Sequence, residues 1–77
     1  MARAPLKDRL GKAIRAQREL LKISQEAFAE RIGVHRTYYG AVEQGKQNLT
    51  LESIEKIAVG LGVPVSSLFV AADRLKL

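Results

Sequence analysis

The fold of this chain is decided by residues 25–45, QEAFAERIGVHRTYYGAVEQG. Ser24 in front of this stretch is a favourable N-cap, and apolar residues follow it at helical spacing, which predicts a short helix. Gly33 can adopt the left-handed conformation that ends such a helix. A second helix is predicted from Arg36 to about Gln44. Two short helices joined by three residues that include a glycine are typical of a helix-turn-helix.

The flanking sequence predicts three further helices. Residues 1–5 are expected to form a short N-terminal arm, and helix 1 is predicted from about Leu6 to about Lys22 because apolar residues recur there at helical spacing. Helix 4 is predicted over 51–61 and helix 5 over 65–74, with Pro64 marking the break between them. Residues 6–77 would then be one all-α domain of five helices. The side chains predicted to be buried in helix 4 are Leu51, Ile54, Ile57, Ala58 and Leu61.

The composition limits the possible functions. The 77 residues include no cysteine, which excludes disulfides, cysteine-based zinc sites and a thiol nucleophile, and fits an intracellular setting. His35 is the only histidine, so neither a metal site nor acid–base catalysis is expected. The longest uncharged stretch, residues 57–72, falls short of the roughly 20 residues that a membrane-spanning helix needs.

The positive charge is concentrated at one end of the chain. The net charge is +5, and residues 1–22 carry seven basic and two acidic side chains, which accounts for the whole excess. A basic end on a small protein suggests a polyanionic partner, either nucleic acid or an anionic membrane. Helix 1 lacks the aromatic face of a membrane-surface helix, so nucleic acid is favoured, while a solubilising charged face is the simpler alternative.

The central segment resembles the helix-turn-helix of the phage-repressor and Cro-type regulators, the Xre family. The match rests on Gln25 at the start of helix 2, the small Ala29 at the helix crossing and Gly33 in the turn, and it extends through GKQNLTLESIEKIAVGLGVPVSSLF, residues 45–69. The run Arg36-Thr37-Tyr38 is also similar to controller proteins of restriction–modification systems. The resemblance implies a compact, repressor-like domain of a prokaryotic or phage-type transcriptional regulator that binds double-stranded DNA in the cytoplasm.

Helical geometry predicts which face of helix 3 reads DNA. Tyr39 and Val42 are three residues apart and define the inward face. A helix that fits the major groove contacts bases from its opposite face and from its N-terminal end. At about 100° per residue, the predicted base contacts are therefore Arg36, Thr37, Ala41 and Gln44.

These side chains differ in what they can recognise. Arg36 can donate two hydrogen bonds to guanine O6 and N7, a contact that discriminates by about 1–3 kcal/mol, although a phosphate contact is the alternative. Gly40 is unusual because glycine inside a helix costs roughly 1 kcal/mol relative to alanine. Gly40 and Ala41 leave the groove face without bulk, which suggests sparse direct readout and a contribution from DNA shape.

The groups around helix 3 are candidates for contacts with the DNA backbone. Helix N-termini, amides and basic side chains suit phosphate oxygens. His35 could instead cap helix 3 or be a plain surface residue, and the Tyr38 ring could pack against helix 2. The predicted backbone contacts are Gln25, His35, Tyr38, Lys46, Gln47 and Asn48.

The resemblance also implies a structural ion pair and a dimer. Arg18 of helix 1 would pair with Glu43 of helix 3, as is common in the family. Family members of this size generally dimerise through C-terminal helices, which implies a homodimer on a palindromic operator with half-sites about 34 Å apart. One helix of a small domain cannot bury all the apolar side chains at this end, which include Leu75 and Leu77 in the tail. The predicted interface is Leu68, Phe69 and Val70.

Other functions have less support. An antitoxin that binds DNA and neutralises a partner toxin is the main alternative. The chain is too short for an additional ligand-sensing module, so neither a small-molecule ligand nor a cofactor is expected. Gly60-Leu61-Gly62 follows a helix and lacks a later glycine, so it does not form a nucleotide-binding loop and an enzyme is not indicated. RNA binding would need an aromatic stacking surface, for which Tyr38 is the only candidate.

Overall fold

Five α-helices make up most of residues 3–76, the part of the chain that this computed structural model describes. The all-α prediction is confirmed, and those residues contain no strand. No single helix among them is long and apolar enough to cross a bilayer; the last two together meet the length and composition requirements but are bent by 95° at their junction. The helices are α1 (Leu6–Leu20), α2 (Gln25–Ile32), α3 (Arg36–Glu43), α4 (Leu51–Leu61) and α5 (Val65–Arg74).

Capping residues set both ends of α2 and α4. The Ser24 hydroxyl accepts a hydrogen bond from the Ala27 amide at 3.0 Å, which satisfies one of the free amides at the start of α2. Thr50 caps α4 in the same way. Gly33 and Gly62 end α2 and α4 with φ values of 74° and 73°, a conformation that costs a residue with a Cβ atom more than glycine. The sequence therefore fixes both ends of these two helices locally.

Two sequence predictions about the helices are wrong. Helix α1 ends at Leu20 instead of Lys22, because Lys22 turns the chain with a left-handed φ of 58°. Leu51 was predicted to be buried but is 84% exposed. It is the first residue of α4, and its side chain lies in solvent, whereas Ile54 one turn later is buried.

The core is formed by side chains from all five helices. The rings of Phe28 and Tyr39 lie at its centre, with centroids 5.1 Å apart, and join α2 to α3. Helix α1 passes close to α3 at Gly11, where a Cβ atom would lie 2.5 Å from the Val42 carbonyl oxygen. The buried cluster comprises Leu10, Ala13, Ile14, Phe28, Ala29, Tyr39, Val42, Ile57, Ala58, Leu61, Leu68 and Ala72.

The N-terminal segment and α1 are neutralised in part by acids from distant parts of the chain. Arg3 and Arg9 both pair with Asp73 near the end of α5, at 3.9 and 3.2 Å. Glu43 pairs with another arginine of α1, so Asp73 and Glu43 together lower the net charge of this cluster from +5 to +3. The basic end predicted from the sequence is therefore weaker in the folded protein, and Arg3 lies against α5.

Candidate nucleic-acid interface

The predicted helix-turn-helix is formed by α2, the turn 33–35 and α3. His35 is the N-cap of α3, and its Nδ1 accepts a hydrogen bond from the Thr37 amide at 3.0 Å. Because Nδ1 accepts, a neutral His35 ring carries its proton on Nε2. The capping role considered from the sequence is present, and Nε2–H remains as the group that can donate to a phosphate.

The four predicted base-contact side chains lie together on one surface. Arg36, Thr37, Ala41 and Gln44 line an open groove of about 400 Å³ along the outer side of α3. Gly40 also lines the groove. A Cβ atom added at Gly40 would have only the Gln25 side-chain oxygen within 4 Å, at 3.5 Å. The groove therefore has a long basic side chain at the N-terminal end of α3, no bulky side chain near the middle of α3 and an amide at the C-terminal end of α3.

Glu26 also lines this groove, although sequence reasoning did not include it in the site. Its Oε2 lies 3.1 Å from Arg36 Nη1, and both side chains are exposed. An acidic residue in the first turn of a helix is ordinarily explained by the helix dipole, so its sequence position alone carries no functional signal. The signal lies in the fold, which sets the start of α2 beside the start of α3.

A buried polar network holds α3 against α1 and α2. The Arg18 guanidinium donates from Nε and Nη2 to the Glu43 carboxylate at 2.7 and 3.0 Å, so the predicted ion pair is present. Arg18 also donates to the Ile23 carbonyl at 2.8 Å. The Tyr39 hydroxyl and the Gln25 amide donate to the same carboxylate. Both carboxylate oxygens of Glu43 therefore accept hydrogen bonds, as a buried charge requires.

These contacts shift the pKa values of three groups in the network; the hydrogen bond to Glu43 raises the pKa of Arg18. Burial tends to raise the pKa of Glu43, but the hydrogen bonds it accepts, first from Arg18, outweigh burial and lower that pKa below its ordinary value. Burial, followed by the hydrogen bond to Glu43, raises the pKa of the Tyr39 phenol, so this group stays protonated and donates. The network is therefore charged at neutral pH and fixes α3 in one position.

Two predicted backbone contacts have partners inside the protein. Gln25 donates from Nε2 to Glu43 Oε1 at 2.8 Å, so that hydrogen is not available to a phosphate. The Tyr38 hydroxyl lies 3.2 Å from Ser53 Oγ at the start of α4, an element that the sequence did not connect with Tyr38. The Tyr38 ring packs against the core and is only partly exposed.

The loop after α3 supplies the remaining predicted backbone contacts. Lys46 and Asn48 are exposed and Gln47 is partly buried. Gly45 begins the loop with a φ of 74°, and the Lys46 amide returns to the Ala41 carbonyl at 2.9 Å. The loop thus starts at a fixed point at the end of the groove, which places a basic side chain and two amides beyond the C-terminal end of α3.

The residues predicted to form the dimer interface differ in how exposed they are. Leu68 is fully buried within the protomer, so its inclusion in an interface between protomers is wrong; it faces inward because α5 packs on α1 with this side. Phe69 is partly buried, and Val70 is 47% exposed. Leu75 is partly buried, and Leu77 lies outside the described residues. The apolar surface of α5 is therefore built around Val70, with Phe69 at its edge.

Comparison with known proteins agrees with the helix-turn-helix fold. The family described as "HTH_3: Helix-turn-helix" matches residues 14–68. Control protein C.MunI from a Mycoplasma species is 45% identical over 65 residues, which cover 83% of this chain and 88% of that protein. The crystal structure of the restriction–modification controller protein C.AhdI from Aeromonas hydrophila has a TM-score of 0.77 at 34% identity, over 79% of this chain and 92% of that one.

A further solved structure contains DNA. It is the restriction–modification controller protein C.Esp1396I, crystallised as a tetramer in complex with its natural 35-base-pair operator. It has a TM-score of 0.82 at 28% identity and covers 92% of this chain and 93% of that chain. These relatives are regulators and not enzymes. The chain therefore belongs to the Xre-type helix-turn-helix family of transcriptional regulators.

Proposed function

We propose that this protein is a sequence-specific regulator that binds a palindromic operator as a homodimer and inserts α3 into the major groove. The observation that carries the proposal is the groove itself. Four side chains predicted from the sequence to touch bases line one open surface, and that surface belongs to the second helix of the motif. In helix-turn-helix proteins this helix reads base edges.

Each side chain in the groove has a stated role in this proposal. Arg36 donates two hydrogen bonds to guanine O6 and N7, Gln44 pairs with adenine, and Ala41 touches a thymine methyl group. Thr37 bonds a base edge near Arg36. With so few long side chains in the middle of α3, the backbone at Gly40 approaches the DNA closely, and the bendability of base pairs between the half-sites supplies part of the specificity.

The backbone contacts come from both sides of the groove. Lys46 supplies the charge, and the amides of Gln47 and Asn48 supply neutral hydrogen bonds to phosphates. His35 donates from Nε2. Gln25 contributes through its remaining amide hydrogen, and Tyr38 contributes only if its hydroxyl leaves Ser53.

The homodimer in this proposal uses the outer side of α5. Val70 of α5 is 47% exposed, and its neighbour Phe69 is only partly buried. A domain of this size buries only about 60% of the surface of its unfolded chain, so covering this apolar side also stabilises each protomer. Two copies related by a twofold axis would present their α3 helices to half-sites about 34 Å apart.

The 45% identity to a protein named as a control protein favours a controller of a restriction–modification operon. Such a protein would act on DNA in the cytoplasm of a prokaryotic cell. Footprinting on the DNA upstream of its own gene and of neighbouring endonuclease and methyltransferase genes tests this assignment. Protection there is the expected result, whereas a co-purifying toxin that is neutralised by this chain would favour an antitoxin.

Selection of bound duplexes from a random pool, followed by a salt titration of the winning sequence, tests the whole proposal. We expect a palindrome and an affinity that falls with salt, because Lys46 of each protomer neutralises a phosphate and so releases counterions from the DNA. Salt-sensitive binding without a preferred sequence would contradict it, and so would a monomer in sedimentation both with and without DNA.

A further inference from the structure

An acidic side chain stands on the surface that the proposed function turns toward DNA. Glu26 and Arg36 form an ion pair of 3.1 Å, with 70% and 65% of their side chains exposed. Together they line the groove along α3 and a neighbouring depression that includes His35 and Val34. A carboxylate in this place repels phosphate oxygens, so it weakens the attraction that a DNA-binding surface needs.

Stability alone does not account for this arrangement. Exposed ion pairs contribute little to the free energy of unfolding. Glu26 suits the positive N-terminal end of α2, but Arg36 occupies the same end of α3, where the helix dipole disfavours a cation. Arg36 therefore sits in an unfavourable position that a purely structural residue would avoid, and Glu26 is the acid that compensates for it.

We infer that Glu26 is a specificity-determining residue that orients the Arg36 guanidinium toward a base edge and keeps it away from phosphates. The inference rests on the proposed function and deepens it. Glu26 engages Nη1 of the guanidinium, and the planar group has donors left for a bidentate contact with guanine. Its charge excludes a phosphate from the same side of Arg36.

The start of α2 is rigid enough for this role. Gln25 is the neighbour of Glu26 and donates to the buried Glu43 at 2.8 Å, while Ser24 caps the same turn. Glu43 belongs to α3 and is fixed in turn by Arg18. The backbone that carries Glu26 is therefore tied to the helix that carries Arg36, so the two side chains start from neighbouring backbone positions.

Replacing Glu26→Gln tests the inference. Affinities are measured for the selected operator, for operators changed at the base pair that Arg36 contacts, and for a random-sequence duplex. We expect the preference for the operator to fall by about fivefold or more, since one bidentate guanine contact discriminates by at least that much. Binding to the random duplex should rise, because Arg36 is then free to meet phosphates.

Two further variants separate orientation from a change in net charge. Glu55→Gln removes an exposed acid from α4, outside the groove, and should change both affinities by the same factor. In an Arg36→Ala background, Glu26→Gln should leave the preference unchanged because the residue that it orients is gone. Unchanged helicity in circular dichroism would show that the variants fold.

The outcomes are distinct. An unchanged preference in Glu26→Gln, in a wild-type protein that does discriminate, would overturn this inference and leave the proposed function standing. A loss of preference that persists in the Arg36→Ala background would overturn it as well, since Glu26 would then act independently. A wild-type protein without any sequence preference would overturn the proposed function and this inference with it.

Discussion

Removing one partner of the Arg18–Glu43 pair should destabilise the protein severely. Only 10% of the Arg18 side chain and 2% of the Glu43 side chain are exposed. Arg18→Met keeps much of the apolar stem but leaves a buried carboxylate with only the Tyr39 and Gln25 donors. Breaking a buried pair from one side costs about 3–5 kcal/mol, and the two remaining donors place the expected cost near the lower value, about 3 kcal/mol.

That cost is large for a domain of this size. At roughly 0.05–0.15 kcal/mol per residue, the whole domain has about 4–12 kcal/mol of stability. Glu43→Gln should cost a similar amount, because it leaves the Arg18 guanidinium buried without a counter-charge. The double variant removes both charges, so its cost should also be about 3 kcal/mol, far below the sum of the two single costs.

Urea unfolding of the four proteins, monitored by circular dichroism, measures this coupling. The free energy of unfolding of the double variant should lie close to that of either single variant. Single costs that add to within about 0.5 kcal/mol would refute the reasoning, since they would show that the two side chains act independently. Arg15→Met is a matched control, because Arg15 pairs with Glu19 on the surface and should change stability by less than about 1 kcal/mol.

The same pair predicts a pH dependence. The pKa of Glu43 is lowered in the folded protein, since its hydrogen bonds outweigh the opposing effect of burial. A lowered pKa contributes stability that is fully present above the ordinary glutamate value of 4.5 and is lost as the pH falls through the lower folded value. Below pH 4.5, the wild type should therefore lose stability more steeply than the double variant, and parallel curves would contradict this.

Four further predictions concern the packing, the proposed dimer and the groove. Gly11→Ala should lower the free energy of unfolding by about 1–3 kcal/mol, because its Cβ would meet carbonyl oxygens of α3. Gly40→Ala should raise the free energy of unfolding by about 0.5–1 kcal/mol and weaken operator binding. Urea unfolding and gel-shift titration measure both, and undiminished binding by Gly40→Ala would contradict a close backbone approach. Val70→Asp should dissociate the dimer in sedimentation, while Val59→Asp, at an exposed apolar site on α4, should not. Lys46→Gln should reduce the slope of log affinity against log salt by about two, one for each protomer of the proposed dimer, and an unchanged slope would remove Lys46 from the phosphate contacts.

Most of the fold was predictable because its signals are local. Ser24 and Gly33 act through a hydrogen bond or a backbone conformation within a few residues, and they gave the ends of α2 correctly. The end of α1 was missed because Lys22 adopts a left-handed φ that its residue type does not announce. Leu51 was misplaced because periodicity assigns a face and does not show where the neighbouring helices stop.

The side chains that line the groove were predictable from the sequence, but their hydrogen bonds and ion pairs with other helices were not. Helical geometry selected Thr37, Ala41 and Gln44, and a position in the first turn of α3 selected Arg36; all four line the surface. The engagement of Gln25 by Glu43 and the ion pair between Glu26 and Arg36 depend on how two helices cross, which no local pattern encodes. The inclusion of Leu68 in a dimer interface failed for the same reason, since an apolar run does not show which side faces its own core.

The most direct test of the account replaces guanine by 7-deazaguanine at the position selected in each half-site. This change removes the N7 acceptor from the major groove and leaves base pairing intact. The account predicts that the wild type loses at least about fivefold in affinity, while Arg36→Ala binds both duplexes equally. Equal binding by the wild type, or an equal loss in Arg36→Ala, would contradict the claim that α3 reads the operator through Arg36.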